Sequence, residues 1–175
     1  LTVSGAVGTI AKKEKLDIVL VVDTSGSMQG RNMTNTKTAV SNLVSAIGNK
    51  EDTIDARWKL VTFASSANIR TSDWTTGYSV NRTVRTLSGN GGTNYQDALV
   101  KAERAVSSAR EDATSIVIFL TDGEPTFYLR SHNQISNSGT ATRGGGNYTT
   151  RNDYNGAIMG AKALSCSRIY AIGID

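Results

Sequence analysis

Cysteine, proline and histidine each occur once in the 175 residues, as Cys166, Pro125 and His132. A lone cysteine excludes an internal disulfide and any thiolate metal cluster, so the fold must stand on its packed core. A lone histidine, set in a polar loop, gives a histidine-based catalytic triad little to build on. Charge of one sign is also scarce. The net charge is only +4, and the one basic cluster, Lys12, Lys13 and Lys15, is interrupted by Glu14. Nucleic-acid surfaces need a concentrated basic patch, so a nucleic-acid partner is not expected. No apolar run approaches the ~20 residues of a membrane span, which argues against direct membrane insertion, and residues 1–15 hold no apolar h-region.

What is present is an ordinary globular balance, with 38% hydrophobic and 19% charged residues, unlike a disordered chain. A chain of this length makes one domain that buries about 70% of its unfolded surface. Short runs rich in β-branched residues, 18–22, 60–64, 116–120 and 169–174, read as strands. Ile18–Val22 and Ile116–Leu120 are apolar at every position, as strands covered on both faces are. Between them lie helical spacings: Val40, Leu43, Val44, Ile47; Val80, Val84, Leu87; Ala98, Leu99, Ala102, Val106; and Ala157, Ile158, Ala161, Leu164. The alternation predicts an α/β fold with a doubly wound, mainly parallel sheet and helices on both faces. Residues 67–74 follow the second strand too closely for a crossover, so they are expected to form one antiparallel edge strand.

The segment 1–15 alternates like a strand and then turns charged; it reads as a leader strand or linker from a neighbouring domain. The α/β domain itself is 16–175, with an insertion loop at 131–153 dominated by Ser, Thr, Asn, Gly and Arg. That loop is either a spacer or a border of the functional site, with Arg130, Arg143 and Arg151 drawing in an acidic partner. Trp58, Trp74 and Cys166 read as core filler.

Three loops carry the chemistry. Asp23-Thr-Ser25-Gly-Ser27-Met leaves a fully apolar strand at its carboxyl end, where open α/β sheets bind ligands. Asp122, in Leu-Thr-Asp-Gly-Glu-Pro, leaves the strand 116–120 in the same way. Gly91-Gly-Thr93-Asn94 precedes a helix starting near Tyr95, with Asn94 as its N-cap and Asp97 completing a capping-box pattern. Together they supply two carboxylates and three hydroxyls. Such an all-oxygen set suits a hard divalent cation, whereas zinc calls for His or Cys. Taken singly these residues read as helix caps and turns; their joint placement favours a metal site. Glu124 stands two residues past Asp122 and reads as a turn carboxylate near it. Asn32-Met-Thr34, Asn81-Arg-Thr83 and Asn147-Tyr-Thr149 match only the common glycosylation acceptor pattern.

Asp-x-Ser-x-Ser at 23–27, Thr93 and Asp122, in this order, resemble the metal-ion-dependent adhesion site of the von Willebrand factor type A fold. The resemblance covers about residues 16–175, and the polar, cysteine-poor surface is similar to Gram-positive pilus tip adhesins. It implies Asp23, Ser25, Ser27, Thr93 and Asp122 as metal ligands, with Mg²⁺ or Mn²⁺ bound and Ca²⁺ as a further option. It also implies capture of a Glu or Asp on a host matrix or cell-surface protein, no enzymatic activity, contacts with other domains of the same polypeptide, and a place outside the cell on the wall or pilus tip. Domains of this family continue past the strand equivalent to 169–174, so the chain is expected to run on beyond Asp175. Two other readings stand beside this one: an intracellular docking domain of an ATPase-coupled, chelatase-like machine, and a metal-dependent phosphohydrolase. Dinucleotide and phosphate-loop motifs fail, because Gly89-Asn-Gly91-Gly92-Thr-Asn94 lacks the third glycine and no Gly-Lys-Ser/Thr follows. A phosphoryl-transfer aspartate would want a carboxylate where Ser25 stands, and Ser25 lacks the first glycine of a nucleophile elbow.

Overall fold

The computed structural model describes residues 12–130 and 142–175. The expected leader strand at 1–9 and His132 lie outside the described residues. The elements run β1 (Glu14–Asp23), a short 3₁₀ turn (Gly26–Met28), α1 (Arg31–Gly48), β2 (Ile54–Phe63), β3 (Ala67–Ile69), α2 (Gly77–Val84) and α3 (Tyr95–Val106). They continue with β4 (Thr114–Thr121), β5 (Tyr128–Leu129), β6 (Thr142–Arg143), α4 (Arg151–Lys162) and β7 (Arg168–Gly173).

The main sheet has the order β3-β2-β1-β4-β7, with β3 antiparallel and the other pairs parallel. β1 is therefore central, and its apolar run is buried because both faces are covered. Val19 and Val21 pack with Ala98, Leu99 and Ala102 of α3 on one face. Ile18, Leu20 and Val22 pack with Val40 of α1 and Val80 and Val84 of α2 on the other. Fully burying one such side chain contributes about 1.5–3 kcal/mol, so this strand anchors both layers. β7 closes the row with Ile169, Tyr170 and Ile172 exposed.

Several elements depart from expectation. β2 begins at Ile54, six residues before the apolar run, because Asp55, Arg57 and Lys59 alternate with residues that face the core. The antiparallel edge strand ends at Ile69 instead of reaching Trp74; the chain then returns to β2 through a single bridge between Trp58 and Thr75. Leu87 lies past the end of α2, and Cys166 lies past the end of α4. Both still pack against the core, Cys166 in a setting whose burial pushes its thiol up. Trp58 is buried, while Trp74 is only half-buried, with Arg57 and Lys59 over its ring.

At the amino end of β1, Asp17 is fully buried and paired with Arg57 at 2.7 Å and Arg110 at 2.8 Å. Burial alone would raise its carboxyl, but the hydrogen bonds from the two arginines outweigh it and hold Asp17 below the usual range. A groove of about 760 Å³ also opens at this end, between the lysines at 12–15 and Val44, Ile47, Trp58 and Tyr78. It is remote from the carboxyl ends of the strands. No helix of the described residues is long and apolar enough to cross a membrane.

Candidate metal centre

Parallel pairing of β1 with β4, in the register Val22 to Leu120, brings the loops after Asp23 and Thr121 to one rim of the sheet. Asp23 is the last residue of β1 and is fully buried. Its Oδ1 accepts a hydrogen bond from the Ser25 N–H at 2.7 Å, the local turn that Asp favours. Its Oδ2 accepts from the Thr121 hydroxyl at 2.6 Å. Ser25 Oγ lies 3.1 Å from Ser27 Oγ, and the Ser27 hydroxyl donates to Asp122 Oδ1 at 2.7 Å. Asp23, Ser25, Ser27 and Asp122 thus form one continuous hydrogen-bonded chain.

The capping reading of these serines fails. Ser25 precedes the 3₁₀ turn but makes no side-chain cap bond, and α1 starts from Gly30, also without one. Both hydroxyls turn toward the carboxylates instead.

The third loop is stitched to the first: the Gly26 N–H donates to the Gly91 carbonyl at 2.8 Å, and the Asn90 N–H to the Thr24 carbonyl at 2.7 Å. Gly91 has φ +87°, where a side chain is strained. Thr93 is buried, 6% exposed, and its backbone is pinned by Thr126, whose Oγ1 accepts the Thr93 N–H at 2.9 Å. Thr93 borders the same cleft as Ser27. Asn94 caps α3 as expected, accepting from the Asp97 N–H at 3.0 Å. The capping box is only half realised, because Asp97 Oδ2 accepts from the Ala67 N–H at 2.6 Å and so ties α3 to β3.

Among the described residues every hydrogen-bond donor to Asp23 and Asp122 is neutral, and no ion pair includes either one. Burial, reinforced by the nearby charge of Asp122, raises the Asp23 carboxyl despite the bonds from Thr121 and Ser25. The site therefore lacks positive charge that a cation would supply. The oxygen spacing also fits one. Magnesium–oxygen bonds of about 2.0–2.1 Å put neighbouring octahedral ligands about 2.9 Å apart. The Ser25–Ser27 and Ser27–Asp122 oxygen pairs, at 3.1 and 2.7 Å, bracket that value. Among the described residues no three His, Cys, Asp or Glu side chains cluster, so the hydroxyls are integral to any site here.

Three supporting residues escaped the sequence reading. Asn32, in the first turn of α1, donates to Asp122 Oδ2 at 2.8 Å. Thr121 orients Asp23, and the Tyr95 hydroxyl lies 3.0 Å from Thr121 Oγ1 and donates to the Gly123 carbonyl. Burial, together with the charges of Asp23, Asp122 and Glu124, pushes the Tyr95 phenol up to about 12. The only sequence signal for any of them was the Leu-Thr-Asp-Gly setting of Thr121.

The described part of the insertion, 142–150, is hydrogen-bonded to the rest of the domain, although none of its residues is buried. The Thr142 hydroxyl donates to the Ser65 carbonyl at 3.2 Å, and the Gly146 N–H to the Thr126 carbonyl at 3.2 Å. Thr150 and buried Asp153 form the capping box that starts α4. Gly146, Asn147, Tyr148 and Thr149 form one wall of a cleft of about 530 Å³ whose other walls include Ser27, Thr93 and Glu124. Arg130, Arg143 and Arg151, expected to draw in an acidic partner, are exposed and are not among the residues that border this cleft.

Comparison with known proteins agrees with this architecture. The minor pilin PilB of Streptococcus sanguinis superposes with a TM-score of 0.69 at 20% identity, over 96% of this chain and 52% of that one. The pilus adhesin SpaC of Lactobacillus rhamnosus GG, in its open conformation, gives 0.71 at 23% identity over 93% of this chain and 24% of that one. The type V pili tip protein Mfa5 of Porphyromonas gingivalis gives 0.58 at 25% identity through its vWF domain, over 68% of this chain and 42% of that one. Among curated sequences, inter-alpha-trypsin inhibitor heavy chain H4 of Sus scrofa is 28% identical over 63% of this chain, and heavy chain H3 of Mesocricetus auratus 32% identical over 62%. The chain spans only 12% and 13% of those two relatives. With residues 17–154 matching its pattern, the chain belongs to the von Willebrand factor type A domain family.

Proposed function

We propose that this domain is a metal-dependent adhesion module, a binding part rather than an enzyme. Asp23, Ser25, Ser27, Thr93 and Asp122 would hold one divalent cation, Mg²⁺ or Mn²⁺ before Ca²⁺. When bound, the ion supplies a Lewis-acidic position for an Asp or Glu side chain of a partner protein. The observation that carries the reading is the continuous chain from Asp23 through Ser25 and Ser27 to Asp122, whose donors are all neutral. Neutral hydroxyls leave much of an ion's charge uncompensated, so an external carboxylate gains by approaching it. The protein's own residues set the stage: Thr121 orients Asp23, Asn32 orients Asp122, and the Gly26–Gly91 contact holds the loops together.

The structural relatives, a pilus adhesin, a pilin and a pilus tip protein, support a place on the extracellular surface, with partners among host matrix or cell-surface proteins and other domains of the same polypeptide. The test is calorimetric titration with Mg²⁺ alongside capture of immobilised matrix proteins with and without chelator. Heat of binding lost in Asp23→Ala, with capture abolished by chelator, is the expected result. Unchanged Mg²⁺ binding in Asp23→Ala sinks the assignment.

A further inference from the structure

We propose that the groove at the amino end of β1, remote from the metal centre, binds a single-chain amphiphile with an anionic group at one end and a neutral hydrogen-bond acceptor at the other. It measures about 760 Å³, within the range of pockets that enclose a small ligand. Its floor is one face of β2, where Ile54, Ala56 and Trp58 recur at every second residue. Val44 and Ile47 of α1 form one wall, and the start of α2 forms the other.

The first anchor is Trp58. It is only 2% exposed, yet its indole N–H makes no hydrogen bond among the described residues. A buried indole N–H usually finds an acceptor. Among the described residues the side-chain polar atoms both sealed from solvent and unpaired are Asn81 Oδ1 and Asp153 Oδ1. The Trp58 nitrogen is therefore not sealed, and the space that Trp58 borders is this groove. Gly77 permits the placement, because a Cβ on it would lie 3.0 Å from Nε1 and 2.9 Å from Val44 Cγ1.

The second anchor is charge. Glu14 pairs with Ile54 and Ile18 with Trp58, so Lys12 and Lys13 stand at the end of the floor opposite the indole. Four strand residues separate the two ends, a span of ~13 Å. Lys15 is taken by Asp112, and Asp55 by Arg110. Lys12 and Lys13 form no ion pair among the described residues and outnumber Glu51, the remaining acid of the lining. A floor with one free donor offers little to the repeated N–H and C=O groups of a peptide. It suits a hydrocarbon chain, with a carboxylate at the lysines and a hydroxyl accepting from Trp58.

The probe is ω-hydroxydodecanoate, titrated below its micellar concentration into the ¹⁵N-labelled domain in EDTA, so that the metal centre plays no part. The two tryptophans give two indole N–H signals, which Trp74→Phe assigns. The expected result is a saturable shift of the Trp58 signal, with dodecanoate binding about two- to tenfold more weakly. Replacing both lysines, Lys12→Gln with Lys13→Gln, is expected to weaken binding about two- to tenfold. Both are exposed, and thermal unfolding verifies that the variant is folded. An unmoved Trp58 signal, equal binding of dodecanoate or of ω-hydroxydodecylamine, or equal binding by the lysine variant overturns the proposal. Tighter binding of an acetylated Leu-Ala-Leu-Asp peptide also overturns it, by making the groove a protein-docking surface.

Discussion

Asn32 and Asp122, 90 residues apart, are joined by a 2.8 Å hydrogen bond from Nδ2 to Oδ2. With Ser27 donating to Oδ1, each oxygen of the Asp122 carboxylate has one neutral donor, and its plane is set by the 3₁₀ turn and the first turn of α1. Asn32→Ala is expected to weaken Mg²⁺ binding by about 10–100-fold, as loss of an orienting partner does. Stability falls by only about 1 kcal/mol, the usual worth of one such bond. Calorimetry and urea denaturation separate the two effects; an unchanged Mg²⁺ affinity refutes the orienting role.

Asp23 predicts an unusual dependence on pH. Its carboxyl is raised in the folded protein, so the folded state holds its proton more tightly than the unfolded chain. Without a cation, that contribution to stability is present below the ordinary value of 3.8 and is lost as pH rises through the raised folded value. Asp97, also raised chiefly by burial, acts in the same direction. Thermal unfolding in EDTA should show Asp23→Asn at least as stable as the wild type at pH 7. Added Mg²⁺ should stabilise the wild type alone, and more so as pH rises.

Asp17 has the opposite sign. Held below 3.8 by Arg57 and Arg110, it contributes stability that is complete above that value and disappears as pH falls through the lowered one. Asp17→Ala leaves two guanidinium groups without their buried partner and should cost about 3–5 kcal/mol. Because Asp17 sits at the far end of β1, Mg²⁺ affinity of the folded fraction should not change. Denaturant midpoints and calorimetry on one sample check both halves of the expectation.

Gly144 has φ +130°, and a Cβ there would run into the Thr126 carbonyl and the Phe127 Cα. Gly144→Ala is expected to cost about 1–3 kcal/mol of local strain and to release the wall that carries Tyr148. Faster tryptic cleavage at Arg143 and Arg151, with the global unfolding temperature little altered, is the anticipated pattern.

The parts of this molecule written in local order were legible. Ile18–Val22 and Ile116–Leu120 announced buried parallel strands, and Asn94 announced its helix start. The residues Asp23, Ser25, Ser27 and Asp122 were identifiable because each follows a strand that had to end at the same rim. What stayed hidden depends on partners far along the chain. Asn32 looked like part of an acceptor tripeptide until α1 placed it against Asp122, and Thr121 meets Asp23 across 98 residues. The first half of β2 was obscured by Asp55, Arg57 and Lys59, whose charges are accounted for by Arg110, Asp17 and a stack on Trp74. No periodicity predicts a strand whose polar side is satisfied by such distant partners.

β1 is flanked by parallel partners on both sides, paired with β2 from Glu14–Ile54 through Asp23–Phe63 and with β4 from Leu16–Thr114 through Val22–Leu120. A load applied at Asp23 runs along this strand and meets both ladders in shear, so many backbone hydrogen bonds must fail together before the strand slides. The single coordinate bond proposed at the rim would have no such sharing. Under the proposed adhesion function, the grip on a partner would then be the mechanical fuse, and the sheet behind it is expected to outlast repeated detachment.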